Sequence, residues 1–465
     1  MNPEPTRSDH FLLVGGGGRE ASFAVSLARD SVVSAFVTHK NPTIVECVAR
    51  SGGALRIGDV RDPNAITRFA VENNIEFAFV SADEPLAAGV VDSLLRAGIK
   101  TIGATKAAAR IEWDKIYSIS LMQAVAPEFT PLFTVVETPE QIPDMLRIFS
   151  DRGLPVAVKP EGLTGGKGVK IMPDHLPDYE SCAAYARELF SSRPTEQVLF
   201  VEKLDGIEFT VMGLTDGINL VMSPASYDYP FRFENDTGPG TGGMGCFTAT
   251  TKNLPFLTYT DIEDCAEIMC KIIHYLRLAN TPFNGIINGG FFKTSKGIQF
   301  MEFNSRFGDP EGLNILTILE TPFSEVLKKL YYVKLRNHSV SFTRKASVIK
   351  YLVAPEYPDP SPEPTTFMLD QVLLDQMGLN VFFGACEHVE DNLYRTLGSS
   401  RVLAIGATAD DIPTASDLVN RGIDRCLSGH LEYRADIGAQ KDIDRLMSRL
   451  KTQIQTTDTP PQTGK

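Results

Sequence analysis

Residues 11–14, FLLV, are a short apolar run that enters GGGGRE (residues 15–20) and then the helical pattern ASFAVSLARD. Strand, glycine turn and helix in that order form a βα unit, whose turn and helix N-terminus can receive an anion. The alternation continues through SAFVTHKN and then the strand EFAFVSADE, which runs into the helix PLAAGVVDSLLRAG. Strands joined by helical crossovers pair in parallel, because the crossover returns the chain to the same end of the sheet. Residues 1–113 are therefore expected to form one Rossmann-like α/β domain. The turn has no clean G-x-G-x-x-G followed by an acid at the ribose distance, so a dinucleotide is the less favoured ligand there.

Past IEWDKIYSISLMQ the pattern changes, and the remainder reads as further mixed α/β units, an α+β multidomain chain. Residues 114–200 hold a linker helix, the strands PLFTVV, LPVAVKPEG, KGVKIMP and QVLFVEKL, and an acidic helix over 176–189. That is short for a full domain and suits a mobile lid. Residues 201–340 carry the strands EFTVMGL, INLVMSPAS, FNGIINGGFFKT and GIQFMEFN, with a helix over 259–279. Residues 341–450 mix strands with the helix TASDLVNRGIDRCL, and the polar, Pro/Thr-rich stretch 451–465 is expected to be disordered. No internal repeat is present.

Charge and cysteine usage narrow the function classes. A net charge of −13 with no basic run disfavours nucleic acid and anionic membrane as partners. The seven cysteines are scattered, with no CxxC pair and no histidine at zinc-ligand spacing, so they read as small buried apolar residues of a reducing compartment. The start MNPEPTRSDH lacks a basic region followed by an apolar run, and no apolar segment approaches membrane-spanning length. A cytoplasmic location is expected.

Four segments carry chemistry. In MEFNSRFGDPE (residues 301–311), Glu302, Asn304 and Arg306 stand at every second position of an expected strand and so share one face. A carboxylate and an amide oxygen beside a guanidinium suit a hard divalent metal that carries phosphates, with the arginine left for an anionic group. The bland alternative is the solvated face of an amphipathic strand. KPEGLTGGKGVKI (residues 159–171) is strand, glycine-rich turn and strand, unlike a P-loop, in which the glycines open a helix. Gly162, Gly165, Gly166 and Gly168 would let the hairpin close over phosphates, with Lys159 and Lys167 as point charges. VEKLDGIEF (residues 201–209) offers a strand-to-turn hinge with two acids, Glu202 and Glu208, suited to adenine and ribose. DTGPGTGGMG (residues 236–245) has five glycines and two threonines in ten residues, which permits close backbone approach to a small anion.

Taken together, these segments resemble the ATP-grasp superfamily, and within it the phosphoribosylamine–glycine ligase family. The likeness rests on GGGGRE, DEPLAAGVVD, GATKAAARIEWDK, VKPEGLTGGKGV, VEKLDGIE, DTGPGTGGMG, EFNSRFGDPE, GSSRVLAIGA and YRADIG, and runs over nearly the whole chain. The resemblance implies an ATP-grasp fold with an N-terminal Rossmann-like pre-ATP-grasp domain, a mobile lid and a C-terminal domain. It implies ATP as co-substrate: Lys115, Lys159 and Lys167 at the phosphates, Gly165, Gly166 and Gly168 above them, Glu202, Lys203 and Leu204 at the adenine and Glu208 at the ribose. It further implies Mg2+ or Mn2+ on Glu302 and Asn304, Arg306 as the catalytic arginine, and glycine and phosphoribosylamine as small-molecule substrates. The phosphoribosyl side would be Gly17, Gly18, Arg19 and Glu20, with Asp236, Thr237, Gly243, Met244, Gly308 and Asp309. A monomer or homodimer is expected.

The chain departs from the family's common pattern at Ala21, Asp83, Glu161, the stretch YDYPF (residues 227–231), and Gly312 and Leu313 after RFGDPE. The YPF and LN sequences, with KYLVAPEYP, are similar to an archaeal-looking branch. The strand around Gly290 offers no acid or amide where many ATP-grasp enzymes place another metal ligand. Two alternatives stand beside ligation of glycine: an ATP-grasp ligase for another amino acid or amine, and a catalytically silent nucleotide-binding protein.

Overall fold

In the computed structural model, which describes residues 9–162, 168–361 and 363–457, the chain opens with a five-stranded parallel sheet. Its spatial order is Leu55–Ile57, Val32–Val37, His10–Val14, Phe77–Phe79, Lys100–Ile102. The chain starts at the centre, winds one way, then crosses to the other side. The switch point therefore falls between His10–Val14 and Phe77–Phe79, where such sheets open a crevice at the strand ends. GGGGRE leaves the first of these strands, and the helix Gly18–Leu27 begins within it. Both faces of the sheet are covered: Phe11 and Leu13 pack into one core, Leu12 and Val14 into another.

A second sheet, antiparallel and four-stranded, is ordered Phe133–Val136, Val198–Glu202, Val156–Pro160, Lys170–Ile171. With the helices Ile142–Ser150 and Tyr179–Ser192 it has a core of its own, built on Val136, Phe149, Val158, Cys182 and Phe200. The second helix begins three residues later than its composition suggests, because Asp178 caps it by accepting from the Ser181 N–H at 2.8 Å.

The central antiparallel sheet runs Leu220–Met222, Gly206–Asp216, Asn284–Thr294, Gly297–Asn304. The last two strands form a hairpin whose turn ends at Gly297, at φ +103°, a conformation that favours glycine. Pairing slips within it: Gly290 faces Glu302 and Phe291 faces Phe300, leaving Met301 as a bulge. The bulge resets the alternation, so that Ile298, Phe300 and Phe303 are all buried.

Residues 227–248 depart most from the sequence-based layout. Tyr227–Asp228 and Gly245–Thr248 do not extend the central sheet but join Ala346–Leu352, Leu403–Ala409 and Asn380–Phe383 in a sheet of mostly C-terminal residues. A smaller sheet, Cys386–Glu390, Leu393–Thr396, Thr366–Leu369 and Leu427–Gly429, lies beyond it. The final helix, Gln440–Thr457, runs past the boundary drawn at Leu450, so the first part of the supposed tail is ordered. Six cysteines are buried as expected, but Cys270 is exposed on the helix Tyr259–Leu278. Among the described residues no helix is long and apolar enough to cross a membrane.

Residues 229–236 are tied to the end of the chain by buried charge. Arg434, 1% exposed, donates to Asp236 Oδ1 at 3.0 Å and to Asp436 at 2.9 and 2.7 Å, and lies 4.8 Å from the Tyr229 ring centroid. Arg445 pairs with Asp236 and Asp442, and the Tyr229 hydroxyl donates to Asp442. Removing one partner of a buried pair strands the other, at a cost of about 3–5 kcal/mol. Arg434→Ala is expected to lower stability by that amount in denaturant unfolding. A loss below about 1 kcal/mol would show that the network is not integral to the fold.

Candidate active site

The strand Gly297–Asn304 ends where the N-terminal domain takes hold of it. Glu112, on the short helix Arg110–Trp113, accepts from the Ser305 N–H at 2.9 Å and the Ser305 hydroxyl at 2.7 Å, and lies 3.1 Å from Arg306 Nε. One residue on, the Phe307 N–H donates to Ser81 Oγ at 2.9 Å. The Phe307 ring sits in an aromatic cluster with Phe23 (5.3 Å), Phe79 (6.2 Å) and Phe323 (6.0 Å). Arg306 thus lies beyond the strand, not on it as the alternation suggests. Its guanidinium turns back, donating to Asn304 Oδ1 at 3.2 Å, while Asn304 Nδ2 donates to Glu302 Oε1 at 3.4 Å.

Around these three side chains is a cavity of about 150 Å³. Lys115 and Lys159 line it as well, with Asp83 and Glu112 and the apolar Ile111, Ile119, Val169 and Leu199. Lys115, at the start of the helix Lys115–Val125, donates to the Gly162 carbonyl, bridging to the second sheet just before the glycine-rich turn.

The charges are poorly compensated. Burial lowers the Lys115 and Lys159 ammonium pKa values, with Glu302 opposing the shift in both. Burial, then Glu302, pushes Glu208 up to about 7, with Lys159 opposing. Burial would raise Asp83 as well, but Arg306 and Arg19 hold it below the usual carboxylate range. Among the described residues Lys115 and Lys159 form no ion pair and Glu302 pairs with no basic side chain, so the site's charges are open to a polyanion and its counter-ion. Glu302 and Asn304 offer one carboxylate and one amide oxygen, and no group of three or more acidic, histidine or cysteine ligands is assembled among the described residues. That donor set fits a cation completed by phosphate and water.

A second cluster adjoins the first at the switch point. Glu20 accepts from Arg19 Nε at 2.7 Å and from the Gly17 N–H at 2.9 Å, and Arg19 Nη1 donates to the Phe307 carbonyl at 3.2 Å. Asp309 accepts from the Tyr351 hydroxyl at 2.6 Å and pairs with Arg401 at 3.1 Å. Arg401 also donates to the carbonyls of Gly242, Gly243 and Asp309. A Cβ on Gly18 would stand 2.3 Å from the Tyr351 hydroxyl, so only glycine allows this approach. The cluster gathers Gly17, Gly18, Arg19, Glu20, Gly243 and Asp309, with Gly308 beside it in the chain.

Other expected residues are occupied elsewhere. Asp236 is held by Arg434 and Arg445, and the Thr237 hydroxyl donates to the Glu234 carbonyl. Met244 is a fully buried core residue whose backbone pairs with Tyr229 and Tyr351. Lys203 bridges to Asp174 at 2.8 Å, and Glu202, Lys203, Leu204 and Glu208 are not part of the cavity wall. Gly165, Gly166 and Lys167 lie outside the described residues, and Gly168, at φ +91°, gives its carbonyl to the Tyr185 hydroxyl. Sequence reasoning missed Ser81, Glu112, Tyr351 and Arg401 as site residues. Glu112 and Arg401 stand inside the segments ARIEWDK and GSSRVLA, but nothing local gives them a role.

Two family models match the chain: "Phosphoribosylglycinamide synthetase, N domain" over residues 9–112, and "Phosphoribosylglycinamide synthetase, ATP-grasp (A) domain" over residues 114–312. A phosphoribosylamine–glycine ligase of Methanothermobacter thermautotrophicus is 34% identical over 95% of this chain and 99% of its own length. One from Thermococcus kodakarensis is 36% identical over 93% and 97%. Among solved structures, the Thermotoga maritima phosphoribosylamine–glycine ligase superposes with a TM-score of 0.75 at 24% identity, covering 92% of this chain and all of that one, a likeness of fold.

The charge state of Glu208 sets a pH dependence. Its folded pKa lies above the unfolded value of about 4.3, so the native state holds more protons than the unfolded state at pH values between the two. Its contribution is fully present below about pH 4 and is lost as pH rises through about 7. Glu208→Gln, free of ligands, is expected to raise the melting temperature at pH 8 relative to the parent and to leave it nearly unchanged near pH 4. An equal shift at both pH values would contradict this.

Proposed function

This chain belongs to the phosphoribosylglycinamide synthetase family, and from that premise we propose that it joins glycine to 5-phosphoribosylamine at the expense of ATP. The observation that carries this reading is the convergence of Lys115, Lys159, Glu302, Asn304 and Arg306 on one cavity. ATP lies between the second sheet and the central sheet, its phosphates at Lys115 and Lys159, its adenine toward residues 202–204 and its ribose toward Glu208. We assign Gly165, Gly166 and Lys167, which lie outside the described residues, to the phosphates as well.

Glu302 and Asn304 would hold Mg2+ or Mn2+, which when bound would neutralise charge on the transferring phosphate. A glycine carboxylate oxygen attacks the γ-phosphorus, ADP leaves, and an acyl phosphate remains. The amine of phosphoribosylamine then attacks the acyl carbon, losing a proton, and phosphate departs with the activated oxygen. Arg306, fixed by Glu112 and Asn304, faces the charge that develops in both steps and costs no reorganisation when it does. Phosphoribosylamine lies at the second cluster, where Arg19 and the glycine turn at the head of Gly18–Leu27 suit its phosphate. The location is cytoplasmic, the assembly a monomer or homodimer, and nucleic acid and membrane are not partners.

The assay is purified protein with ATP, Mg2+ and glycine, phosphoribosylamine generated in situ, and ADP and product mass followed together. ADP that requires both substrates supports the reading. ADP formed only with another amino acid or amine overturns it, and ATP binding with no ADP from any pair would mark a silent nucleotide-binding protein. Arg306→Ala is expected to lower kcat about 100-fold or more while ATP affinity stays within about threefold. A large loss of ATP binding would instead make Arg306 a ground-state phosphate ligand.

A further inference from the structure

The strand Ala346–Leu352 carries a site residue on one face and a fully buried lysine on the other. Successive side chains of a strand point to opposite faces. Tyr351 reaches the second cluster, where its hydroxyl donates to Asp309 at 2.6 Å. Lys350, 0% exposed, turns the other way. Its ammonium donates to Ser416 Oγ at 2.9 Å, Asn420 Oδ1 at 2.7 Å and the Ala435 carbonyl at 2.9 Å. An ammonium has three N–H donors and no acceptor, so every donor is used. Burial lowers its pKa to about 7, with Asp436, Asp417 and Glu234 opposing and Arg434 adding to the fall. An apolar side chain would avoid that penalty. What the lysine supplies instead is a tie between three elements: its own strand, the helix Ile412–Cys426 that carries Ser416 and Asn420, and residues 434–437.

The segment 434–437 is fastened twice more to the same helix. Ser416 Oγ donates to the Ile437 carbonyl at 2.7 Å, and Asn420 Nδ2 to the Ala435 carbonyl at 3.3 Å. The segment in turn holds the hairpin of Phe231–Phe233 and Thr237–Gly240. Arg434 donates to the Phe231 carbonyl at 3.1 Å and to Asp236 Oδ1 at 3.0 Å, and Asp436 Oδ2 accepts from the Asn235 N–H at 3.0 Å. Asn235 and Asp236 are consecutive non-glycine residues at φ +57° and +56°. Left-handed backbone at two such residues in succession persists only where the surroundings over-determine it. Here the surroundings include Arg434 and Asp436, the two neighbours of Ala435. The hairpin runs on into Gly242 and Gly243, whose carbonyls accept from Arg401. The stretch then returns to the lysine's own strand, with Gly245 opposite Lys350 in the register.

We propose that Lys350 is a positioning residue for the phosphoribosylamine side of the reaction: by seating residues 434–437 on the helix Ile412–Cys426 it fixes the turn at Asn235 and Asp236, and through that turn the loop 236–245 at the second cluster. The inference rests on the ligase reading above, which puts phosphoribosylamine at that cluster. None of the residues that Lys350 bonds lines the cavity of Lys115, Lys159 and Glu302, so ATP binding is left alone.

Lys350→Met keeps the length of the side chain and removes its N–H donors. Full-length parent and variant are compared in steady state, varying phosphoribosylamine generated in situ and then ATP. KM for phosphoribosylamine is expected to rise about 10-fold or more in the variant, since misplacing a positioning element by about 1 Å can cost that much. Both kcat and KM for ATP are expected to stay within about threefold of the parent. Backbone hydrogen exchange without substrates is the second measurement. Amides of residues 229–245 are expected to exchange at least about 10-fold faster in Lys350→Met, and those of Asn284–Thr294 at the parent rate. Asn420→Ala, a change at a half-buried position, removes two of the ties and is expected to move both readouts the same way by about threefold. It serves as the test if Lys350→Met does not fold. A lysine that only stabilises the fold would lower the melting temperature and kcat, with KM for phosphoribosylamine and the exchange of 229–245 unchanged. That result overturns the positioning role, as does an equal rise in KM for ATP. If the parent forms no ADP with glycine and phosphoribosylamine, the ligase reading falls instead, and the exchange measurement still decides whether Lys350 holds the loop.

Discussion

The structure turns on one buried carboxylate. Glu112, from the last helix of the N-terminal domain, takes the Ser305 amide and hydroxyl and faces Arg306, fixing the point at which the central sheet's last strand becomes a turn. Ser81 repeats the hold on the Phe307 amide, and the Phe307 ring is pinned between Phe23, Phe79 and Phe323. Without these contacts Glu302, Asn304 and Arg306 would lie on a free sheet edge. With them, three side chains of the central sheet meet Lys115 and Lys159 across a single cavity, and RFGDPE is carried on to the switch point of the N-terminal sheet.

A site at a junction of units can leave its charges half-paired. Lys115 and Lys159 are desolvated, Glu208 and Glu311 are raised, and Asp228 stands without a cation. Each of these costs stability in the free protein, and in the proposed reading phosphates would relieve the lysines and a metal would relieve Glu302.

Much of this was legible in the sequence, for reasons that differ by residue. The alternation of strand and helix gave the parallel N-terminal domain, because its strands pair with the next strand in sequence across intervening helices, except where His10–Val14 meets Phe77–Phe79. Period-two spacing put Glu302 and Asn304 on one face, since both precede the strand's end. It failed for Arg306, where tertiary contacts to Glu112 bend the chain. It also could not see the bulge at Met301, which depends on pairing with Gly290 and Phe291. Residues 227–248 were misplaced because their partners lie about a hundred residues on, at Ala346–Leu352. Separations of 198 and 209 residues hid the role of Asp236, whose partners are Arg434 and Arg445.

The central claim is that these side chains gather to activate a carboxylate by phosphoryl transfer before the amine attacks. Glycine labelled with 18O in both carboxylate oxygens tests it directly, by mass analysis of phosphate and amide after a limited number of turnovers. The account predicts one labelled oxygen in each phosphate formed and one retained in each amide. Unlabelled phosphate, with both labelled oxygens still on the glycine-derived carbon, would contradict it.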